Sequence, residues 1–388
     1  MWFVLLGLGL FGLLTSTVFA GMVMAGAWHH LRKRDAALQA FTPQLSLLKP
    51  LHGDEPGLEA NLATFFEQDY PDSDFELLFC TRDERDAGLE IARRVSARYP
   101  KIRARFLWTG GEPPYINAKV ASLEKMVAEA AHEILVISDS DVRVTRDYLC
   151  AVAAPFADLE TGAMTCLYRG VAADGGLWAR LEAVGMSVEM TAGVLVANML
   201  EGMQFVLGPT MAVRRECVRA MGGVGIFGDY CSDDYILGNE VYKQGRKVVL
   251  SDHAIDHVII NSSFVESLKH QVRWMKSTRF SRPKGHFGTA LTFSLPFGLL
   301  ALLAAVALGR PVLGVSLLAW SIFTRWAIAW AAGLKVVRDP SLLDLFVLYP
   351  IRDLMGFGFW AASYLSSKIL WRGKVYELLP GGRMREAG

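Results

Sequence analysis

Residues 136–144 read VISDSDVRV, an apolar run that stops at two acids one residue apart, Asp139 and Asp141. An apolar run of this kind is typical of a buried strand in a parallel sheet. The acids then lie at the carboxyl end of the strand, where open α/β sheets bind ligands. Two carboxylates this close repel each other unless a cation neutralises them, and Mg²⁺ or Mn²⁺ does so while also taking phosphate oxygens. Acids in this position also fit a turn or a helix cap, so the pattern alone leaves both interpretations open.

Short apolar runs recur on both sides of this stretch and alternate with helical patterns. The runs are LSLLKP, FELLFC, IRARFLW, EILVISD, GAMTCLY and KVVLSD, and the helical stretches include GLEANLATFFEQ and AGLEIARRVSARY. Strands that alternate with helices at this spacing predict an α/β fold with a doubly wound, mostly parallel sheet. We assign this domain to residues 45–284.

The composition indicates that part of the chain lies in lipid. Of its 388 residues, 52% are hydrophobic, and the mean hydropathy of +0.27 is higher than a soluble enzyme of this size needs. The net charge of +1 offers no basic excess for nucleic acid, so we expect no nucleic-acid partner. The five cysteines lack CxxC spacing, which predicts reduced core thiols in a cytosolic domain.

The amino-terminal segment has the features of a membrane anchor. Residues 2–28 contain no charge and are long enough to cross roughly 30 Å of hydrocarbon as a helix. The basic sequence HHLRKR (His29–Arg34) follows the apolar run, whereas a cleaved signal peptide carries its charge before a shorter one. We therefore predict a retained anchor over residues 1–30 and a basic linker over residues 31–44. The positive-inside rule then places the domain that follows in the cytoplasm.

The carboxyl-terminal part of the chain is apolar again. Candidate spans at 287–308 and 311–334 are separated by only two residues, which predicts a helical hairpin that returns to the side it left. The stretch 341–367 contains charges and fits a span, a dip into the bilayer or an interfacial helix. Residues 186–207 fit either an amphipathic element at the membrane surface or a core helix. We assign residues 285–370 to the membrane hairpin with its further segment, and residues 371–388 to a basic cytoplasmic tail.

Two further motifs carry charged residues suited to sugar-phosphate chemistry. CSDDYILGNEVYKQG places Asp233 and Asp234 just before a helical pattern, so one acid is expected to cap the helix. The other is free to act as a base that takes the proton of an acceptor hydroxyl. KHQVRW (Lys269–Trp274) supplies Arg273 for paired hydrogen bonds to a phosphate and Trp274 as a wall for a sugar or base. The same basic stretch also fits a juxtamembrane segment that binds anionic lipid.

The order of these motifs resembles the D, DxD, D, QxxRW signature of family 2-like glycosyltransferases. The matching residues are Asp83, Asp139, Asp141, Asp234, Arg273 and Trp274. More closely, three stretches are similar to the ceramide glucosyltransferases of glycosyltransferase family 21 and the related hopanoid-associated glycosyltransferases. They are SLLKPLHGDEPGLEANLATFFEQDYP (46–71), YINAKVASL (115–123) and GPTMAVRRE (208–216), and the resemblance covers about residues 1–300. The chain departs from the signature at His270, which stands where the motif has Gln, although Gln271 is adjacent.

The resemblance implies a GT-A type fold and a membrane-bound, inverting enzyme. The expected reaction moves one hexose from a UDP-sugar, UDP-glucose first, to a hydroxyl of ceramide or a ceramide-like lipid. Asp234 would be the base, and Asp139 and Asp141 would hold Mg²⁺ or Mn²⁺ with the diphosphate. The residues implied to bind substrate are Lys49, Pro50 and Asp83 in the UDP pocket, Asn117 and Lys119 near the nucleotide sugar, Arg273 and Trp274 over the diphosphate, and Asp233, His270 and Gln271 beside them.

The donor is water-soluble and the acceptor stays in the bilayer, so we expect the active site at the membrane interface. The expected location is a bacterial inner membrane, with the catalytic domain in the cytoplasm. One alternative is a hopanoid-associated transferase that uses UDP-N-acetylglucosamine on bacteriohopanetetrol. Another is a processive polysaccharide synthase, although such enzymes build a channel from more helices than this chain offers. A non-catalytic membrane scaffold would need four motifs to fall in catalytic order by chance.

Overall fold

The computed structural model describes residues 1–33, 41–173, 175–260, 263–371 and 373–387. Half of the predicted basic linker, residues 34–40 of 31–44, lies outside the described residues. The strands of the main sheet are β1 (Leu45–Pro50), β2 (Phe75–Thr81), β3 (Arg103–Trp108), β4 (Ile134–Ile137), β5 (Val142–Arg143), β6 (Thr161–Ala172), β7 (Met211–Arg214) and β8 (Lys247–Ile259).

The helices complete the order of elements along the chain. They are α1 (Trp2–Lys33), α2 (Leu58–Phe66), α3 (Ala87–Ser96), α4 (Ala118–Glu129), α5 (Tyr148–Ala153), α6 (Leu177–Val184), α7 (Thr191–Glu201), α8 (Arg215–Ala220), α9 (Asp233–Lys243), α10 (Phe264–Ser281), α11 (Pro283–Thr289), α12 (Leu295–Ala307), α13 (Pro311–Ile328) and α14 (Leu342–Ala362). A π-helical turn joins α6 to α7, and another extends α13 to Val336.

The eight strands form one sheet in the order β3-β2-β1-β4-β7-β6-β8-β5. Strand β1 pairs in parallel with β2 and β4, β2 pairs in parallel with β3, and β6 pairs in parallel with β8. Strand β7 runs antiparallel to both β4 and β6, and β5 runs antiparallel to β8. The predicted α/β fold with a mostly parallel sheet is therefore confirmed, and the carboxyl ends of β1, β2 and β4 share one edge.

The sheet separates two hydrophobic cores. Successive side chains of a strand point to opposite faces, so Leu48 of β1 belongs to one core while Leu45 and Leu47 belong to the other. The first core also contains Val23 and Ala27 of α1. The last turns of α1 therefore pack onto the α/β domain, which fixes this helix and the domain to each other.

Three helical segments of the described chain are long and apolar enough to cross a membrane. They are Trp2–Arg32, Leu177–Glu201 and Pro311–Val336, and a fourth candidate is the pair Pro283–Thr292 and Leu295–Ala307, which is bent by 47°. The predicted hairpin thus forms from α12 and α13, with a break at the start of its first arm. Leu177–Glu201 contributes Val188 and Leu195 to the first core, and this burial favours the core-helix interpretation of residues 186–207.

Helix α14 is amphipathic and lies between α13 and the helices α6 and α10 of the catalytic domain. Leu343, Val347 and Ile351 form an exposed apolar stripe, because residues four positions apart share one face of a helix. Arg352 and Asp353 lie on the opposite side and are buried. Of the three possibilities that the sequence left open for 341–367, a span, a dip into the bilayer and an interfacial helix, these contacts favour the interfacial helix.

The carboxyl-terminal residues form a second, three-stranded antiparallel sheet. Its strands are β9 (Lys368–Trp371), β10 (Lys374–Leu378) and β11 (Met384–Glu386), in the order β11-β10-β9. The sequence predicts a membrane segment up to residue 370 and a tail over residues 371–388. Instead, Arg383 Nη2 lies 3.0 Å from Asp229 Oδ2, and Met384 N donates to Asp229 O at 2.6 Å. The sheet therefore packs onto the loop that leads into α9.

Candidate active site

Buried side chains hold the DSD turn (Asp139–Asp141) at the end of β4. Its three consecutive carbonyl oxygens accept hydrogen bonds from Lys49 Nζ at 2.5 Å, Asn61 Nδ2 at 3.2 Å and Val258 N at 2.7 Å. Lys49 is fully buried, and burial lowers the pKa of its ammonium to about 7, although nearby Asp139 and Asp141 oppose that shift. The structure thus places Lys49 beneath the turn, at the end of β1 where Pro50 follows it.

A cluster of charges lies on the open side of this turn. Lys119 Nζ is 2.7 Å from Asp139 Oδ1 and 3.1 Å from Asp233 Oδ2. Burial opposes the charge on Lys119, but the two carboxylates outweigh it and raise the pKa of the ammonium, so Lys119 stays charged. A methyl group on Gly208 would lie 3.5 Å from Asp234 Oδ2 and 3.6 Å from Asp139 Oδ2. The side chain of Asp234 therefore borders the same small space as that of Asp139.

Asp234 has the environment of a general base. Its Oδ2 accepts a hydrogen bond from Gly208 N at 3.0 Å and its Oδ1 one from Tyr235 N at 2.7 Å. Burial, followed by the charge of Asp233, raises the pKa of Asp234 to about 6, and the two backbone hydrogen bonds limit the rise. A base is most effective when its pKa lies near the working pH. The sequence predicted one acid as the helix cap, but Ser232 occupies that position and both acids lie in the first turn of α9.

The two acids of the DSD turn fit a divalent metal ion that binds together with a diphosphate. Asp141 Oδ2 lies 3.3 Å from His257 Nε2, while its Oδ1 is buried with no hydrogen-bond partner among the described residues. Such an oxygen is costly unless something binds it. The described residues include no group of three or more His, Cys, Asp or Glu suited to hold a metal. Asp139 and Asp141 would therefore bind Mg²⁺ or Mn²⁺ only with phosphate oxygens or water completing the shell.

A cavity of about 630 Å³ opens at the carboxyl ends of β2 and β3. Its lining consists of Arg82, Asp83, Glu84, Trp108, Gly110, Gly111 and Glu112. The volume is in the range of sites for small molecules. Trp108 is 42% exposed, so its ring offers a surface on which a nucleobase can stack. The sequence predicts Asp83 in this pocket but not Trp108, which is recognisable only because the end of β3 lies next to Asp83.

The side chain of Asn117 stabilises the backbone on two sides of the site. Its Oδ1 accepts a hydrogen bond from Lys119 N at 3.2 Å and so caps α4, and its Nδ2 donates to Tyr230 O at 3.3 Å. The side chain is buried. Asn117 therefore fixes the start of the helix that carries Lys119 and ties it to the loop before α9.

The polar residues of the RW motif on α10 point in different directions. Gln271 is buried and accepts a hydrogen bond from Arg352 Nη2 of α14 at 2.9 Å. Arg273 Nη1 lies 3.9 Å from Cys231 Sγ, and its guanidinium lies 5.9 Å from the ring of Trp371 in the carboxyl-terminal sheet. Helix α10 thus connects the loop before α9 with both α14 and the second sheet.

The other two motif residues, His270 and Trp274, lie on the side of α10 that faces α6. Their rings are 4.1 Å apart. Trp274 packs against a cluster that Tyr168 also contacts, and its members are Ala179, Ala183, Met186 and Ile259. Burial raises the pKa of Tyr168, and the charges of Asp234, Asp141 and Asp139 add to the rise. This cluster therefore lies between the RW motif and the carboxylates.

Comparisons with known proteins agree with one another. The profile of glycosyl transferase family 21 matches residues 11–384. Ceramide glucosyltransferases 3 and 1 of Caenorhabditis elegans are each 25% identical to the chain, over 92% of its length and 76% and 75% of theirs. Among solved structures, the mannosyltransferase PcManGT from Pyrobaculum calidifontis, in complex with GDP-Man and Mn²⁺, has the same fold. Its TM-score is 0.53 at 19% identity, and the match covers 92% of this chain and 98% of that one.

Proposed function

The chain belongs to glycosyl transferase family 21, and on that premise we propose that this sugar-transferring enzyme moves one hexose from UDP-glucose to a hydroxyl of ceramide or a ceramide-like lipid. The acceptor is supported by the two relatives named ceramide glucosyltransferases, whose similarity extends over 92% of the chain. A UDP donor is supported by the cavity that Asp83 and Trp108 line, which opens at the same edge of the sheet as the DSD turn. The observation that carries the proposal is that Asp234 and Asp139 border one space beside Gly208.

The proposed mechanism is a single displacement with inversion. The acceptor hydroxyl gives its proton to Asp234 as its oxygen attacks the anomeric carbon from the face opposite the diphosphate. A bond forms between that oxygen and the anomeric carbon, and the bond to the diphosphate breaks, so UDP leaves with the electron pair. Asp234 suits this step because its pKa of about 6 leaves it ionised at neutral pH yet more basic than an ordinary aspartate.

The leaving diphosphate needs positive charge close to it. Lys119 supplies a fixed charge, because it lies between Asp139 and Asp233 at the edge of the same space. Asp139 and Asp141 would hold Mg²⁺ or Mn²⁺, which would neutralise the diphosphate as it leaves. Support for a metal comes from the unpartnered Oδ1 of Asp141 and from the Mn²⁺ in the complex of PcManGT, which shares the fold.

We also propose that the enzyme acts at a bacterial inner membrane with its site on the cytoplasmic side. Three or four helices long and apolar enough to span support the membrane location. The basic residues after the anchor support the orientation. A lipid acceptor remains in the bilayer, and the exposed apolar stripe of α14 is suited to the same environment.

A transfer assay on the detergent-solubilised protein tests the proposal. UDP-glucose, UDP-N-acetylglucosamine and UDP-glucuronate are each offered with ceramide and with bacteriohopanetetrol, with and without Mn²⁺, and mass spectrometry identifies the lipid product. The proposal predicts one hexose on ceramide from UDP-glucose, with more product when Mn²⁺ is present. N-acetylglucosamine on bacteriohopanetetrol would instead identify a hopanoid-associated enzyme. A ladder of added sugars would identify a processive synthase, and the absence of any glycolipid would contradict all three.

A further inference from the structure

The carboxylate of Glu182 on α6 is fully buried beside the helix that carries the RW motif. Burying a carboxylate is costly unless hydrogen bonds compensate for the lost water. Its Oε1 lies 2.7 Å from His270 Nδ1, and its Oε2 accepts a hydrogen bond from Ser267 Oγ at 2.8 Å. Both partners belong to α10, three residues apart, so Glu182 holds one face of that helix.

The contact with Glu182 determines which nitrogen of His270 carries the proton. A carboxylate only accepts hydrogen bonds, so Nδ1 must carry the hydrogen that lies between the two groups. In a neutral imidazole the other nitrogen, Nε2, then has a free lone pair and acts as an acceptor. The His270 side chain is 29% exposed, and within the described parts of the chain no hydrogen bond engages Nε2. Its free acceptor therefore remains available to a ligand.

His270 is held on the side of α10 that faces α6 and the cluster shared by Trp274 and Tyr168. Its ring is 4.1 Å from that of Trp274, which packs against the same cluster as Tyr168. The ring of Tyr168 lies 5.5 Å from that of His257, whose Nε2 is 3.3 Å from Asp141 Oδ2. A short path of side chains thus leads from Glu182 to the reacting groups, whereas the neighbouring Gln271 faces α14.

We propose that Glu182 is a positioning residue for the sugar transfer, because it holds His270 with Nε2 as the acceptor of a hydrogen bond from a substrate hydroxyl. The inference rests on the proposed function. A hydroxyl suits this nitrogen because it donates, whereas diphosphate oxygens only accept and would leave the lone pair of Nε2 unpaired. The hydroxyl belongs either to the donor sugar or to the lipid, and kinetics with each substrate varied in turn separates these sources.

The first measurement is independent of turnover. ¹⁵N-histidine-labelled protein is compared by NMR with the His270→Asn variant, which identifies the His270 signals among the eight histidines. The inference predicts that Nδ1 carries the proton in the wild type. It also predicts that Glu182→Gln changes this pattern, because the Gln amide can donate to Nδ1. A proton on Nε2 in the wild type, whether from the other neutral form or from a charged ring, would overturn the inference.

The second measurement separates positioning from packing. One hydrogen bond corresponds to a change of about 2- to 13-fold, so Glu182→Gln should raise the KM of one substrate by about that factor. The affinity for UDP, which lacks the sugar, should stay within twofold. Ser267→Ala removes the other contact between Glu182 and α10 and is the matched control. If it raises the same KM as much as Glu182→Gln does, or if Glu182→Gln weakens UDP binding or changes neither KM, the inference is wrong.

A third variant tests whether Glu182 acts through His270. His270→Gln installs the residue of the family signature, whose amide oxygen can accept from a hydroxyl without help from Glu182. In that background, Glu182→Gln should change the KM by less than twofold, and a larger change would show that Glu182 does not act through residue 270.

The outcomes also distinguish this inference from the proposed function. An active enzyme with the proton on Nε2 refutes only the inference. Transfer of another sugar, or transfer to another lipid, with the proton on Nδ1 and the expected change in KM refutes only the substrates of the proposed function.

Discussion

In the profile of kcat/KM against pH, the acid limb should shift when a charge near Asp234 is removed. Removal of the negative charge of Asp233 and removal of the positive charge of Lys119 should shift it in opposite directions. Asp234 accepts a proton only while it is ionised, so kcat/KM falls tenfold per pH unit below its pKa in the free enzyme. That pKa is raised to about 6, first by burial and then by Asp233, whereas Lys119 lowers it. Asp233→Asn should therefore move the limb to lower pH, and Lys119→Met should move it to higher pH.

The size of the shift follows from Coulomb's law. At about 6 Å and an effective dielectric constant of about 40, a unit charge contributes roughly 1.4 kcal/mol, or about one pKa unit. Asp233→Asn should thus bring the limb from about pH 6 to about pH 5. Lys119→Met should bring it to about pH 7 and should also lower the maximal rate, because Asp139 and Asp233 lose their cation.

The assay is the initial rate of glycolipid formation at donor concentrations far below KM, from pH 4.5 to pH 9, with thermal unfolding followed in the same buffers. Asp233→Glu serves as a control, because it keeps the charge and should leave the limb within about 0.3 units of the wild type. Limbs that shift in the same direction in both charge variants, or a wild-type limb that stays near pH 4, would refute the assignment of Asp234 as the base.

Four further predictions concern the site. Asp234→Asn should keep the Kd for UDP-glucose within about threefold, by calorimetry, and lower transfer by about 10²–10⁴-fold, since a general base contributes that much; retained turnover would remove Asp234 as the base. Gly208→Ala should fold normally but raise the donor KM, because the methyl group enters the space between Asp234 and Asp139; an unchanged KM would show that the sugar lies elsewhere. Asp139→Asn should weaken Mn²⁺ binding in the presence of UDP about tenfold or more by electron paramagnetic resonance, and unaltered binding would exclude this ligand. Trp371→Ala should raise the Kd for UDP about two- to fivefold through Arg273, whereas equal affinities would exclude that coupling.

The central sheet could be predicted from the sequence because its strands are buried on both faces. Leu45, Leu47 and Leu48 of β1 all lie in one core or the other, which gives the continuous apolar run that the sequence shows. Helix α1 was equally clear, because residues 2–28 carry no charge. The bend before α12 was missed although the sequence marks it, because Ser294 precedes α12 and Pro296 lies in its first turn, where a new helix begins.

The carboxyl-terminal sheet was missed because its charges masked its alternation. Ile369, Tyr376 and Leu378 point inward, while charged residues between them made the segment resemble a solvated tail. The signal was present as two short alternating runs around Gly373, whose φ of 80° suits a turn. Its packing partners, Ile116 among them, are far away in sequence, so the docking position could not be predicted.

The candidate site, too, was predictable only in part. The acids followed apolar strands or preceded a helix, so their common edge was predictable for Asp139, Asp141 and Asp234. The approach of Gly208 to Asp234 and that of Glu182 to His270 were not predictable, since each joins distant parts of the chain. Lys49 and Asn117 were identified by motif alone, and the structure shows that both are buried and support the backbone of the site. Their predicted contacts with the donor stay predictions.

The central claim is that Asp234 acts as the base of a single displacement. The anomeric configuration of the product tests this claim most directly, because a single displacement inverts the anomeric carbon. UDP-glucose carries its glucose in the α configuration. The lipid product of the wild-type enzyme is isolated, and the coupling constant of its anomeric proton is measured by NMR. One β-linked glucose per lipid is the result expected if Asp234 directs a single displacement. An α-linked glucose would require a different mechanism and would contradict the role proposed for Asp234.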